Sequence, residues 1–157
     1  MNKKTDMKIR NAAKNDISRI VKMLNSEKYL TTGEPSGVWE KADIQEFLSS
    51  KRYRAWVCEV DKQIAGVAII EFHKLPKYAY LYVLAVNPRF RRQGIGTKMM
   101  NFVENFAKKQ KIKFIWAFTE KENTIMKKFF LKKGYKEGKE YLYFSKRIKE
   151  KGKSKKI

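Results

Sequence analysis

Between Arg91 and Thr97 the chain reads Arg91-Arg92-Gln93-Gly94-Ile95-Gly96-Thr97, and here residue type and spacing carry the most chemistry. The segment lies between a β-rich run and a helical one, where the unpaired N–H groups of a helix's first turn meet the positive end of its dipole. Such a junction captures phosphate. Two glycines keep side chains away from the amides, the arginines add charge-assisted hydrogen bonds, and Thr97 adds a hydroxyl. The segment lacks the Lys-Ser/Thr ending of a P-loop and the first glycine of a dinucleotide fingerprint, which argues against both nucleotide sites. As local structure alone it is a glycine-rich turn between a strand and a helix.

The elements that must hold this segment follow from periodicity. Residues 7–12 alternate apolar and polar as a strand does, and Asn15 or Asp16 is placed to cap a helix with Ile17, Ile20, Val21 and Leu24 on one face. Residues 30–38 predict a loop, and residues 43–49 a short second helix with Ile44, Phe47 and Leu48 as its apolar side. Residues 53–60 and 63–72 are β-rich and joined by Asp61-Lys62, which predicts an antiparallel hairpin although no glycine occupies the turn. A further strand over 79–86 must stop at Asn87-Pro88, because proline has no N–H for a ladder. Ile95, Met99, Phe102, Val103 and Phe106 then repeat at helical spacing through about Lys109, and residues 112–118 return as a strand. A strand, a helix and a strand in succession predict a right-handed crossover between parallel neighbours. Residues 123–133 predict a helix stopped by Gly134, and residues 141–148 a last strand. This order describes an α/β or α+β sheet with helices on its faces.

A chain of 157 residues is the size of one domain, and 43% hydrophobic residues suffice for a packed core, which excludes global disorder and a fibrous protein. Residues 1–148 are assigned to a single domain and residues 149–157 to a Lys-rich tail. Cys58 is the only cysteine, so no internal disulfide forms; with a charged N-terminus unlike a secretory signal, a reducing, cytoplasmic setting is expected. The longest uncharged apolar run, residues 64–70, is far shorter than the roughly 20 residues of a membrane span, so no membrane association is expected. Lys and Arg number 37 against 16 Asp and Glu, for a net charge of +21, and from Pro88 onward 22 basic residues face 6 acidic ones. Such asymmetry attracts polyanions. Yet 29 of the basic residues are Lys, the strongly hydrated choice for a solvated face, and the same excess arises without any ligand.

With the elements in place, Arg91-x-x-Gly94-x-Gly96, preceded by Leu84-Ala85-Val86-Asn87-Pro88, resembles the acetyl-CoA signature of the GNAT superfamily of N-acetyltransferases. Ile9-Arg10-Asn11-Ala12 with Asp16 is similar to that family's opening strand and helix cap. Asn123 with Phe130-x-x-x-Gly134-Tyr135 resembles its last cofactor-contacting helix and the turn after it. The match runs over about residues 7–148. It implies a GNAT-like fold: a central mixed sheet of six to seven strands with a splayed parallel pair, flanked by about four helices. Acetyl-CoA is the implied cosubstrate, with no metal. Pantetheine would enter the gap between the strand ending near Val86 and the strand over 112–118, pairing with backbone atoms of Leu84, Ala85 and Val86. The pyrophosphate would sit on the amides of Arg91, Arg92, Gln93, Gly94, Ile95, Gly96 and Thr97. Asn123 would reach the cofactor arm, Phe130 would lie near the thioester, and the N–H of Val86 would stabilise the oxyanion.

The activity so implied is acetyl transfer to a primary amine, by direct attack in a ternary complex. The acceptor is a small molecule, a protein N-terminus or a lysine of a protein or peptide. The family's frequent general-acid tyrosine falls at Phe130, which has no hydroxyl, and the positions of its catalytic glutamates read Tyr80 and Phe118. Substitute acids or bases are then Glu71 and His73 at the end of the preceding strand, Tyr82 on the splayed strand, and Tyr141 or Tyr143 near the C-terminus. His73, the only histidine, has an ordinary pKa of about 6.5 that suits a base, and a lone histidine beside a loop is also commonly just solvated. The acceptor is expected between the loop over 29–39 and the final hairpin, where Tyr29, Trp39, Tyr141 and Tyr143 either line an apolar wall or pack in the core, and Glu34 and Glu40 attract a cation. The alternative reading is a non-catalytic module of the same fold that binds nucleic acid or ribosomes through the basic C-terminal half. Monomer and homodimer both fit the sequence.

Overall fold

A computed structural model describes residues 7–30, 37–75, 77–139, 144 and 146 of the chain. It divides into one compact unit ending at Asn123 and another beginning at Thr124. The first unit holds β1 (Met7–Asn11), α1 (Ile17–Asn25), α2 (Lys41–Ser49), β2 (Tyr53–Val60), β3 (Gln63–His73), β4 (Tyr78–Val86), α3 (Ile95–Lys109) and β5 (Phe114–Ala117). The second holds α4 (Thr124–Lys132). Strands lie in the order β1-β2-β3-β4-β5, antiparallel except for the parallel pair β4 and β5. The described sheet therefore has five strands, not six to seven. The strand expected over 141–148 lies outside the described residues except for Phe144 and Lys146.

Two of the expected turns have a clear physical basis. The β2–β3 turn closes without glycine because Asp61 (φ 47°) and Lys62 (φ 62°) both take the left-handed conformation that a tight hairpin requires. Gly134 (φ 86°) ends α4, with its own N–H on the Leu131 carbonyl and that of Tyr135 on the Phe130 carbonyl, both at 3.0 Å. The start of α1 differs from expectation. A 3-10 turn over Lys14–Asp16 precedes it, and Asp16 accepts the Ala13 N–H at 2.8 Å instead of capping the helix that follows. β5 is shorter than the expected 112–118, because Lys111 turns left-handed (φ 57°) and the Ile112 N–H is still held by the Ala107 carbonyl at 3.0 Å.

Alternation along β2 and β3 sends residues to two faces. On one, Ile20, Leu24 and Ile44 of α1 and α2 pack with Val57, Val67, Ile69 and Val83. On the other, α3 buries Ile95, Met99, Met100 and Val103, while Trp56 meets Phe102 and Phe106 edge-on at 5.5 and 5.0 Å. Burying each such side chain contributes roughly 1.5–3 kcal/mol. Gly66 sets how closely α3 approaches: a Cβ there would lie 2.6 Å from Met99 Sδ and 3.1 Å from Ile95 Cγ2. Among the described residues no helix is long and apolar enough to cross a membrane, and no three His, Cys, Asp or Glu side chains gather as a metal site.

Candidate active site

The parallel pair parts part-way along. β4 and β5 are in register from Tyr78 with Phe114 to Leu81 with Ala117, where β5 ends, while β4 continues to Val86 paired only with β3. The β3–β4 register shifts at the same place: Ile70 faces Leu81 but Ile69 faces Val83, leaving Tyr82 as an extra residue. Such a bulge bends its strand and increases the twist, so β4 turns from β5 at the residue after their last pair. The directions of the peptide groups beyond it follow from one hydrogen bond. Asn87 donates to the Ala65 carbonyl at 2.9 Å, so Val86, opposite Gly66, is a position whose N–H and carbonyl both point away from β3. Leu84, two residues earlier, does the same. Ala85 instead turns its peptide groups toward Val67, which takes it out of the expected pantetheine ladder.

β4 leads directly into the glycine loop. Asn87 accepts the Arg89 N–H at 3.0 Å and steadies a 3-10 turn over Pro88–Phe90, after which Arg92 (φ 61°) and Gly94 (φ 76°) bend the chain into α3. Lys98 is the first residue to return its N–H to the loop, at 2.9 Å from the Gly94 carbonyl. The N–H groups of residues 92–97 find no protein acceptor among the described residues. A Cβ at Gly94 would meet nothing within 4 Å, so the space in front of these amides is open. Ile95, buried beneath, fixes the helix start, while Arg92, Gln93, Gly94 and Thr97 are exposed and Gly96 is half-buried. These features fit a diphosphate. Arg91 is placed differently from expectation: its guanidinium pairs with Glu27 at 2.6 Å and its Nε reaches the Val86 carbonyl at 3.2 Å, tying the end of α1 to the loop.

Near the vertex of the gap the structure brings Glu71 and His73 together, their Oε1 and Nε2 3.4 Å apart. Glu71 is buried and forms an ion pair with Arg52, whose side chain is largely exposed. Cross-strand register places Tyr53 on one side of Glu71 and Tyr80 on the other. Burial, more than the nearby Glu71 or Tyr82, pushes both phenols above their ordinary value, so both keep their protons at neutral pH. Rings run on continuously: Phe47 with Tyr53 at 4.8 Å and with Tyr82 at 5.5 Å, Tyr82 with Tyr80 at 5.0 Å, and Tyr80 with Phe118 at 5.4 Å. Sequence reading missed Tyr53 and Phe47, and took Tyr80 only as a vacated position, because register alone joins them to Glu71.

The other expected residues fall elsewhere. Trp39 is buried, donates its indole N–H to the Leu30 carbonyl and is held by Asn25, so it belongs to the core and not to an acceptor wall. Tyr29 is half-buried under Lys28, and Glu40 starts α2. Glu34, Tyr141 and Tyr143 lie outside the described residues. Asn123, half-buried, donates its N–H to the Glu120 carbonyl at 3.0 Å. Phe130 belongs to the second unit, where it packs on Phe129 at 5.7 Å and Tyr135 at 5.2 Å.

A strand that leaves its parallel neighbour, with free amides at the helix start that follows, agrees with the family comparison. Residues 19–135 match the family model described as acetyltransferase (GNAT) family. The chain belongs to that family. Its fold is similar to the aminoglycoside N-acetyltransferase AAC(6')-Iy in complex with CoA, at a TM-score of 0.78 and 19% identity over 94% of this chain and 99% of that one. It is similar also to the aminoglycoside antibiotic 6'-N-acetyltransferase AAC(6')-Ih of Acinetobacter baumannii, at 0.74 and 18% over 92% and 100%. A protein titled a transcriptional regulator, from Bacillus halodurans C-125, matches at 0.77 and 21% over 89% and 99%. At these identities the likeness establishes the shared GNAT fold.

Proposed function

We propose that this GNAT protein transfers the acetyl group of acetyl-CoA to a primary amine. The observation that carries the reading is the bulge at Tyr82, beyond which Leu84 and Val86 turn their peptide groups into the gap and lead straight to the open amides of residues 92–97. Pantetheine would lie along β4 as a substitute strand, satisfying Leu84 and the N–H of Val86, whose carbonyl already accepts Arg91, as β5 satisfies the earlier residues. The diphosphate would rest on the start of α3, with Arg92, which has no ion-pair partner among the described residues, free to reach it. The N–H of Val86, or of Leu84 nearer the vertex, would face the thioester oxygen as it becomes an oxyanion. CoA bound in AAC(6')-Iy supports this reading.

The amine would enter over Tyr53, Tyr80, Tyr82 and Phe118, whose ring faces attract a cation, beside the buried carboxylate of Glu71. In the transfer the neutral amine nitrogen bonds to the acetyl carbon, the carbon–sulfur bond breaks, the nitrogen loses a proton and the thiolate gains one. Glu71 and His73 are the pair suited to receive the first proton, and because a thiol is far more acidic than an alcohol, water can supply the second. The aminoglycoside acceptors of AAC(6')-Iy and AAC(6')-Ih support a small molecule bearing amines over a protein acceptor. Calorimetric titration with acetyl-CoA, followed by free-thiol detection over a panel of amines and peptides, tests the reading. Micromolar cofactor binding and thiol release with one amine class are expected; no uptake of acetyl-CoA would overturn it.

A further inference from the structure

At the other end of the sheet from the glycine loop, the start of β2, the end of β3, the start of β4 and the last turn of α3 enclose a pocket of about 330 Å³. β4 spans nine residues from this end to Val86, which at about 3.3 Å per residue puts the pocket roughly 25 Å from the loop. It shares only His73 with the site above. Phe72, Phe106 and Ile112 form its apolar floor, the two rings 5.5 Å apart. Lys51, Arg54, Lys74 and Lys77 stand around them, and among the described residues no Asp or Glu lines the pocket. None of these four cations has an ion-pair partner among the described residues. The Arg54 guanidinium is held by two backbone carbonyls, those of Lys51 at 3.2 Å and Tyr53 at 2.7 Å, which fix its position without neutralising it. Lys108, Lys109, Lys111 and Lys113 continue the positive ground along the end of α3.

We propose that this pocket binds a single-stranded nucleic acid, with one base against the Phe72 and Phe106 floor and flanking phosphates at Lys51, Arg54, Lys74 and Lys77. A cavity of this volume admits a nucleotide-sized group, whereas a duplex keeps its bases turned inward and presents a rod. A run of acidic residues alone would satisfy the cations but has no planar apolar group to cover the rings. The positive ground extends past the pocket, which favours a polymer over a mononucleotide. Lysine ammonium groups are point charges that follow a backbone without reading its sequence, so binding is sequence-independent and salt-dependent.

Fluorescence anisotropy of a labelled ten-nucleotide oligo(U) with the full-length protein tests this. Log affinity should fall against log salt with a slope of about −3, as four phosphate contacts on a single strand give. Lys74→Ala/Lys77→Ala should weaken binding about tenfold at low salt and roughly halve the slope. Lys153→Ala/Lys155→Ala/Lys156→Ala, in the C-terminal tail, should leave both unchanged. Wild-type binding by the Lys74/Lys77 variant overturns the proposal, as does competition by a ten-residue polyglutamate equal to that of unlabelled oligo(U), or stronger competition by a duplex of the same length.

Discussion

At Gly94 two demands meet on one residue: a φ of 76°, which costs an ordinary side chain about 1–2 kcal/mol, and open space before the amides of the α3 start. Charge and strain there are separable. Gly94→Glu should leave the fold intact, since its Cβ touches nothing, yet abolish acetyl-CoA binding by placing a carboxylate where the proposed diphosphate would rest. Gly94→Asn, which tolerates the left-handed conformation, should keep most of the affinity. Calorimetry on both variants checks this, and equal losses would mean that backbone strain decides. Glu71 poses the same kind of question, because a buried carboxylate paired with Arg52 is either a positioning charge or the proton acceptor. Glu71→Gln keeps the shape and removes the basicity. It should lower kcat/KM about 10² to 10⁴-fold with acetyl-CoA affinity unchanged. A fall in cofactor affinity and thermal midpoint without that loss would assign Glu71 a structural role.

At the scale of elements, α3 would connect stability to cofactor binding, because its first turn is a core contact and, in the function proposed above, the diphosphate seat. Gly66→Ala would set a methyl 2.6 Å from Met99 Sδ, 3.1 Å from Ile95 Cγ2 and 3.2 Å from the Ala85 carbonyl. Met99 can yield, but Ile95 Cγ2 is a short branched group in the first turn of α3 and the Ala85 carbonyl on β4 closes the other side, so relief comes from a shift of the start of α3. Overpacking of this kind costs about 1–3 kcal/mol. A thermal midpoint lower by several degrees, together with weaker acetyl-CoA binding, is expected by calorimetry; a lower midpoint with unchanged binding would show that the helix start holds its place. What was legible in the sequence was what is local. The loop Arg91 to Thr97, the helical period from Ile95, the Asp61-Lys62 hairpin and the stop at Gly134 each depend on neighbours in the chain. The bulge at Tyr82 was not legible, since a strand of β-formers reads alike with or without an extra residue. Nor was the gathering of Tyr53, Glu71 and Tyr80, which only cross-strand register produces. Arg91 looked like a phosphate ligand because its partner, Glu27, lies far away in sequence.

For the whole molecule, a net charge of +21 means that acid acts against the fold twice: it adds positive charge to a chain already repelling itself, and it removes the carboxylates that offset that charge locally. Asp16 is the carboxylate where the second effect should be clearest. It is fully buried, accepts Arg10 at 2.7 Å and Arg19 at 2.6 Å, and through Arg10 reaches Glu59, so it joins β1, α1 and β2. The Arg10 hydrogen bond holds its pKa below the ordinary 3.8, against the opposing effect of burial. A carboxyl depressed on folding stabilises the native state fully above its unfolded value, and that contribution disappears as pH falls through the lower folded value. Asp16→Asn leaves Arg19 without its counter-charge and Arg10 with Glu59 alone, and because both arginines are partly exposed it should cost about 1–3 kcal/mol at neutral pH. The deficit should stay constant down to about pH 4 to 5 and shrink below it, as the aspartate of the unfolded wild-type chain takes up a proton before the folded one does. Urea unfolding of both proteins from pH 7 to pH 2 measures it. A deficit independent of pH across that range would mean that Asp16 acts through its hydrogen-bond geometry, with its charge contributing nothing to the junction of β1, α1 and β2.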